Sequence, residues 1–226
     1  VTVENSEGNT QVFEVTKTFT FERNMYTDMK REVSISSEDA IPYLTFTADA
    51  EQTFTMSKAV ETLEYSVNGG VWKELGTNVV TFGGDNGNLQ LRGKSSFGTS
   101  ESWVGPKIRF GNNVLVACSG DIRTLIDYEN YSTTDTSNAR FCTLFSGCHY
   151  LKTAPELPIT KLASYCYDSM FESCLNLKVA PALPATELTT YCYNQMFSGC
   201  TNLNSVTTYA TNISAANCLV NWLYGV

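Results

Sequence analysis

Residues 165–174 read YCYDSMFESC, and nearly the same ten residues return as YCYNQMFSGC at 191–200. The interval is 26 residues. Two columns of cysteines keep the same interval: Cys148, Cys174 and Cys200, and Cys166, Cys192 and Cys218. A fixed interval held by aromatic and sulfur positions together indicates a repeat architecture.

The interval divides the second half of the chain into units. We place the repeats at 139–164, 165–190 and 191–216, with a partial repeat at 217–226. One such unit cannot bury its own apolar face, whereas stacked units share a continuous core. The sequence therefore predicts that neighbouring repeats bury the aromatic residues that share one position, which are Phe145, Phe171 and Phe197.

Each unit combines two local patterns. Leu188, Cys192 and Met196 follow helical spacing, and Gly199 is a suitable helix terminator. The preceding stretch LKVAPALP at 177–184 is expected to be extended, because each proline disfavours helix at the residue before it. A short extended segment and a short helix in a unit of about 20–29 residues is the leucine-rich-repeat plan. The pattern predicts a short α/β solenoid.

Residues ahead of the repeats alternate as strands do. Leu44, Phe46 and Ala48 share one parity, and VFEVTKTFTFE at 12–22 alternates in the same way. The turn residues NGG at 68–70 stand between two further strand patterns and indicate a hairpin. Four more short strands follow, in NVVTF, NLQLR, KIRF and VLVAC. This half of the chain is predicted to be an Ig-like β-sandwich.

The predicted fold class is therefore α+β, with an N-terminal β-sandwich followed by a leucine-rich-repeat solenoid of 26-residue repeats. The predicted domains are 36–113 for the sandwich and 114–226 for the repeats. Residues 1–35 hold N-terminal strands, which belong either to an upstream module or to the edge of the sandwich.

The motif MF-x-x-C-x-x-L followed by an extended run with L-P resembles the repeats of BspA-type leucine-rich-repeat surface proteins of host-associated anaerobic bacteria. The resemblance covers about residues 114–226. SGDIRTLIDYEN at 119–130 resembles the junction between such repeats and a preceding β-domain, and 1–35 resembles the last strands of fimbrillin-like domains. The chain departs from the pattern at Arg140, which replaces a repeat cysteine, and at VTTYA in 206–210.

This resemblance implies a non-enzymatic protein of the bacterial cell surface or extracellular space that serves cell adhesion or binds a host protein. The chain begins with Val1 rather than Met, and we expect a mature or trimmed fragment whose targeting segment is missing. The net charge of −8 argues against nucleic acid or an anionic membrane as a partner. The sequence contains no run of about 18 apolar residues, so we predict no membrane-spanning segment.

The eight cysteines are predicted to be buried thiols rather than disulfides or metal ligands. Columns of three cannot pair evenly. Cys192 and Cys200, if helical, lie roughly 12 Å apart along the axis, which is too far to bridge. Cys118 and Cys142 could form a pair, and that alternative stays open. No C-x-x-C or C-x-x-H spacing indicates zinc, so we predict no metal site.

Catalytic residues and cofactors are not indicated either. The only histidine, His149, lies in the turn GCHYL, where a solvated side chain is the expected role. GGDNGN at 83–88 lacks the alternating acidic ligands of a calcium loop and is predicted to be a tight turn. We therefore predict no catalytic residue and no cofactor.

The extended face of the repeats is the predicted ligand face. It carries the 14th and 18th positions of each repeat, which are Lys152, Glu156, Lys178, Ala182, Asn204 and Thr208. Their small size and mixed charge favour a host protein as the partner of a monomeric chain. Two alternatives remain. A glycan-binding module would be favoured if exposed Tyr and Trp line a groove, and a structural spacer would only project other domains.

Overall fold

The computed structural model describes residues 2–4, 10–12 and 41–226. By its internal contacts the chain divides into two compact units, Val1–Ala40 and Ile41–Val226. In the first unit, β1 (Thr2–Glu4) pairs antiparallel with β2 (Thr10–Val12). The rest of the described structure belongs to the second unit.

The division into two units tests neither of the predicted domain boundaries, which lie after residue 35 and after residue 113. Most of the predicted N-terminal segment 1–35, including the alternating stretch beyond residue 12, lies outside the described residues. The boundary predicted between 36–113 and 114–226 falls inside the unit Ile41–Val226 and stays a prediction.

The second unit contains two β-sheets. In chain order its strands are β3 (Leu44–Ala48), β4 (Gln52–Met56), β5 (Glu64–Val67), β6 (Lys73–Glu74), β7 (Val80–Phe82), β8 (Leu89–Arg92), β9 (Ile108–Phe110), β10 (Val116–Ser119) and β11 (Leu151–Thr153). One sheet has the order β11-β10-β3-β8-β5-β6, and the other has the order β7-β4-β9. The pair β10–β11 is parallel and joins the repeats to the sheet, while the other described pairs are antiparallel.

The two sheets pack through the alternating apolar residues that the sequence shows. Leu44 and Phe46 of β3 are fully buried. The ring of Phe46 lies 5.4 Å from that of Phe54 in β4 and 6.0 Å from that of Phe110 in β9, measured between centroids. The predicted hairpin is confirmed, because Tyr65 of β5 pairs with Lys73 of β6. The tight turn predicted in GGDNGN is also confirmed as a 3-10 turn at Gly84–Asn86.

The α+β fold class is wrong, and so is the α/β leucine-rich-repeat solenoid. Residues 41–226 contain no α-helix, and their helical content is two short 3-10 segments, Gly84–Asn86 and Ile122–Leu125. The stretches predicted as helices are successions of turns. In the second repeat the residues Tyr165, Ser169 and Ser173 have φ angles of 63°, 52° and 59°. A left-handed residue at every fourth position is incompatible with a right-handed α-helix.

These turns divide the backbone amides into two alternating sets. Even-numbered residues bond locally, as when Met170 N donates to Tyr167 O. Odd-numbered residues donate to the next repeat, as when Phe171 N donates to Met196 O and Phe197 N to Trp222 O. In an α-helix every one of these amides would instead bond within its own segment. In the turn segments of the three full repeats, about half of the backbone hydrogen bonds therefore join one repeat to the following one.

The buried aromatic column is confirmed. Phe145, Phe171 and Phe197 are fully buried, and their ring centroids are 5.3 and 5.6 Å apart with interplanar angles of 9° and 2°. The extended parts of the second and third repeats meet at single parallel bridges, such as the one between Leu183 and Thr208. Each repeat thus lies in register on its neighbour without forming a helix.

All eight cysteines are free, buried thiols within residues 41–226, as predicted. Cys118 and Cys142 are among them and do not pair. Several thiols donate to backbone carbonyls of a neighbouring segment, as Cys174 does to Phe145 O and Cys200 to Phe171 O. The small sulfur atoms therefore fill the spaces between repeats. No helix in the part of the chain that the structure describes is long and apolar enough to cross a bilayer.

A second aromatic column predicts a stabilising substitution. Phe141, Tyr167 and Tyr193 stack at centroid distances of 6.1 and 6.2 Å. The hydroxyl of Tyr193 is buried and has no hydrogen-bond partner in residues 41–226. Because Phe141 shows that a plain ring fits this column, Tyr193→Phe should raise the free energy of unfolding by about 1–3 kcal/mol, the cost of a buried unsatisfied polar group.

Urea unfolding of the wild type and of Tyr193→Phe measures the difference. Tyr165→Phe is the matched control, because Tyr165 is half-buried and its hydroxyl gains nothing comparable. A loss of stability in Tyr193→Phe would show that this hydroxyl is hydrogen-bonded after all.

Candidate functional site

An open depression of about 450 Å³ lies where the first repeats meet the loop that joins β8 to β9. We call it the aromatic groove. It is lined by Trp103, Val104, Thr143, Tyr165, Asp168, Ser169, Tyr191, Asn194 and Gln195. The two loop residues face three successive repeats, so the groove depends on the stacking of the repeats for its shape.

Its floor contains a pair of tyrosines at equivalent positions. The rings of Tyr165 and Tyr191 stack with centroids 4.8 Å apart and an interplanar angle of 5°. Their backbones are fixed in register, because Tyr165 N donates to Thr190 O and Tyr191 N donates to Ala216 O. The pair is therefore a rigid aromatic surface rather than two independent side chains.

Trp103 is the third aromatic residue, and it is 65% exposed. Its loop is held in place on both sides. The Ser100 hydroxyl donates to Ser102 O within the loop, and the Cys142 thiol of the first repeat donates to the same carbonyl. Two residues after Trp103, Gly105 O accepts a hydrogen bond from the Thr143 hydroxyl. An indole so exposed on an anchored loop is a platform available to a ligand.

The polar lining is centred on Asp168. Its Oδ1 atom accepts hydrogen bonds from the Ser169 hydroxyl at 2.9 Å and from Asn194 Nδ2 at 3.1 Å. Asp168 is only 8% exposed, and this burial raises the pKa of its carboxyl, with Glu172 adding to the effect and the two hydrogen bonds opposing it. In the described part of the chain its hydrogen bonds all go to Oδ1, so Oδ2 has acceptor capacity left for a ligand.

This set of side chains suits binding of an uncharged polar ligand. Aromatic rings bury the apolar face of such a ligand, while a carboxylate and two amides fix its orientation. The lining of the groove includes no histidine, cysteine or lysine among the described residues. His149 is exposed elsewhere in the repeats and is absent from that lining.

The predicted ligand face lies outside the groove. Lys152, half-buried on β11, forms an ion pair of 3.8 Å with Asp49, which is 95% exposed. Lys178 and Asn204 are exposed and adjacent, since Asn204 N donates to Lys178 O at 2.8 Å. Glu156, Ala182 and Thr208 are also exposed. All six residues are therefore at least partly exposed, and within residues 41–226 Lys152 and Lys178 share no acidic partner.

Sequence reasoning did not single out the groove residues. The signal that could have found them is the repeated ten-residue stretch, whose first, fourth and fifth positions are polar or amphipathic in both copies. These positions are Tyr165 and Tyr191, Asp168 and Asn194, and Ser169 and Gln195. Their partner Trp103 is distant in sequence and has no repeat to identify it. Only the fold brings the two parts together.

Comparison with known proteins does not suggest a function for the groove. No model of a known protein family matches the chain, and neither a curated protein nor a solved structure matches it.

Proposed function

We propose that this chain is a carbohydrate-binding module whose binding site is the aromatic groove. The observation that carries the proposal is the combination of the exposed Trp103 with the stacked pair Tyr165–Tyr191. Sugar rings present a C–H face that packs on aromatic rings, and their hydroxyls need acceptors and donors at the rim. Asp168 and Asn194 supply both.

The groove favours modest affinity. Aromatic contacts contribute about 0.5–1.5 kcal/mol each beyond their burial. An open depression with three aromatic residues and few polar groups therefore fits a dissociation constant in roughly the micromolar to millimolar range. Such binding modules act by holding a protein near a glycan surface, where several weak contacts add up.

Adhesion through a host protein stays a second proposal. It rests on the motif resemblance and on the exposure of the predicted ligand face, including Lys178 and Glu156. Those residues line neither the aromatic groove nor another described depression. A location on the bacterial cell surface is proposed for the same reason, and both candidate partners, a glycan and a host protein, are compatible with it.

The test is a glycan array followed by titration of the best ligand. Trp103→Ala should lower the affinity for that ligand at least tenfold. It should not lower the melting temperature, because Trp103 is largely exposed. Binding should also change the tryptophan fluorescence of the wild type, which has three tryptophans, and this change should vanish in the variant.

Tyr209→Ala is the matched control. Tyr209 is 58% exposed and lies outside the groove lining, so its removal should leave affinity unchanged. Equal affinity of Trp103→Ala and wild type, or an array on which no glycan binds, would contradict the proposal.

A further inference from the structure

A second depression, of about 630 Å³, lies on the other side of the same loop. Val104 lines both depressions, so the two lie next to each other at this residue. The second depression is rich in hydroxyl-bearing residues from the loop, among them the accessible Ser95, Ser96 and Ser102. It also contains one exposed aromatic ring, Phe97, which is 41% exposed.

We infer that the two depressions form one cleft that binds an extended, neutral oligosaccharide chain across Trp103 and Val104. This inference rests on the proposed function and names the ligand class for the same site. Each depression alone has the volume of a site for one small ligand, which is about 300–1,000 Å³. A ligand in contact with both must therefore be a chain of several sugar units.

The loop between the depressions is fixed at both ends, as a continuous cleft requires. At its start, Thr99 N donates to Arg140 O, and Arg140 N donates to Phe97 O. At its end, Ile108 N donates to Leu144 O. Both attachment points lie in the first repeat. Trp103 and Val104 thus project from a braced loop, and a ligand crossing the join meets apolar side chains that are already in place.

The charges of the second depression favour a neutral chain over a polyanion. Its lining has two lysines, Lys58 and Lys94, and two glutamates, Glu61 and Glu101. Lys94 is already paired with Glu129 at 2.5 Å. The aromatic groove adds the carboxyl of Asp168 and no cation. A sulfated or uronic-acid polymer would find no excess of positive charge in either part of the cleft.

Chain length is the variable that tests this inference. Cello-, manno-, xylo- and chito-oligosaccharides, each from dimer to hexamer, are titrated against the full chain by calorimetry. For the series that binds, the hexamer should bind at least tenfold more tightly than the dimer. Phe97→Ala should abolish the higher affinity for the hexamer and leave the affinity for the disaccharide unchanged, because Phe97 lines only the second depression.

A blocking variant, Ala59→Trp, provides a second test that does not depend on removing a side chain. Ala59 is exposed and lines the second depression, so an indole there should obstruct it and abolish the length dependence. Affinity that does not change with length, or a hexamer unaffected by both variants, overturns the inference and leaves the proposed function standing. Failure of all four series to bind, together with a glycan array on which nothing binds, overturns the proposed function and the inference together.

Discussion

Replacing Phe171 with alanine should lower the free energy of unfolding by about 3–5 kcal/mol, the usual cost of emptying a buried aromatic site. Phe171 is fully buried and stacks on both sides, on Phe145 at 5.3 Å and on Phe197 at 5.6 Å. Neighbouring repeats are tied together by backbone hydrogen bonds, which limits how far the cavity can collapse. Urea unfolding followed by circular dichroism measures the loss.

The matched control is Phe97→Ala. It removes the same side chain from a position that is 41% exposed, and we expect a much smaller loss, of about 1 kcal/mol or less. Similar losses in the two variants would mean that the column does not carry the stability of the repeats. In that case the stacking of the rings would be a consequence of the backbone register and not a contributor to it.

The second large effect concerns thiol reactivity. At pH 8 we expect none of the eight cysteines to react rapidly with a disulfide reagent such as DTNB in the folded protein, and all eight to react in urea. Burial raises the pKa of Cys142 and Cys148 to about 12 and that of Cys200 to about 11. A thiol with a pKa near 11 is thiolate at pH 8 in only about one molecule in a thousand, and the thiolate is the reactive form.

Residual labelling of the folded protein should follow local opening of the repeats. Cys218 should react first, because its neighbours in the chain, such as Asn217 and Val220, are exposed. Thr201→Cys supplies an exposed thiol that should react at once and calibrate the assay. Rapid reaction of several native cysteines in the unmodified chain would contradict the buried columns.

The strands were predictable because their signal is local. A residue such as Phe46 alternates with threonines, and one face of a strand is buried while the other is not. The stacking of Phe145, Phe171 and Phe197 was predictable for a different reason, since a fixed interval identifies equivalent positions whatever the local conformation. Both the alternation and the fixed interval can be recognised in the sequence without knowing the backbone conformation of the residues in between.

The helices were predicted wrongly because two structures share one spacing. Cys166, Met170 and Cys174 recur every four residues, which fits one face of an α-helix and fits a succession of four-residue turns equally. The turns need left-handed residues; Gly147 and Gly199 supply two of them, but Tyr165 and Gln195 are among the others. A left-handed residue other than glycine costs about 1–2 kcal/mol, so nothing local favours it. Hydrogen bonds to the next repeat offset that cost, and they are not visible in one segment.

The groove could be predicted only in part. The sequence led to the criterion that exposed Tyr and Trp lining a groove would favour a glycan, but it could not show which aromatic residues remain exposed. Tyr165 lines the groove and Tyr167, two residues later, is fully buried. That difference depends on the direction in which successive turns point their side chains. The position of Trp103 depends on the β8–β9 loop, which is hydrogen-bonded to the first repeat.

The alternating amides also give the stack of repeats a direction. The first repeat is covered by the β8–β9 loop and the start of β9, where the amides of Thr99 and Ile108 donate to its carbonyls. At the opposite edge the amides of Asn217, Leu219, Asn221, Leu223 and Gly225 donate to no backbone carbonyl within residues 41–226. Between repeats each such row of donors faces a row of carbonyls, so a repeat placed in the reverse orientation would oppose donors with donors and could not join the stack.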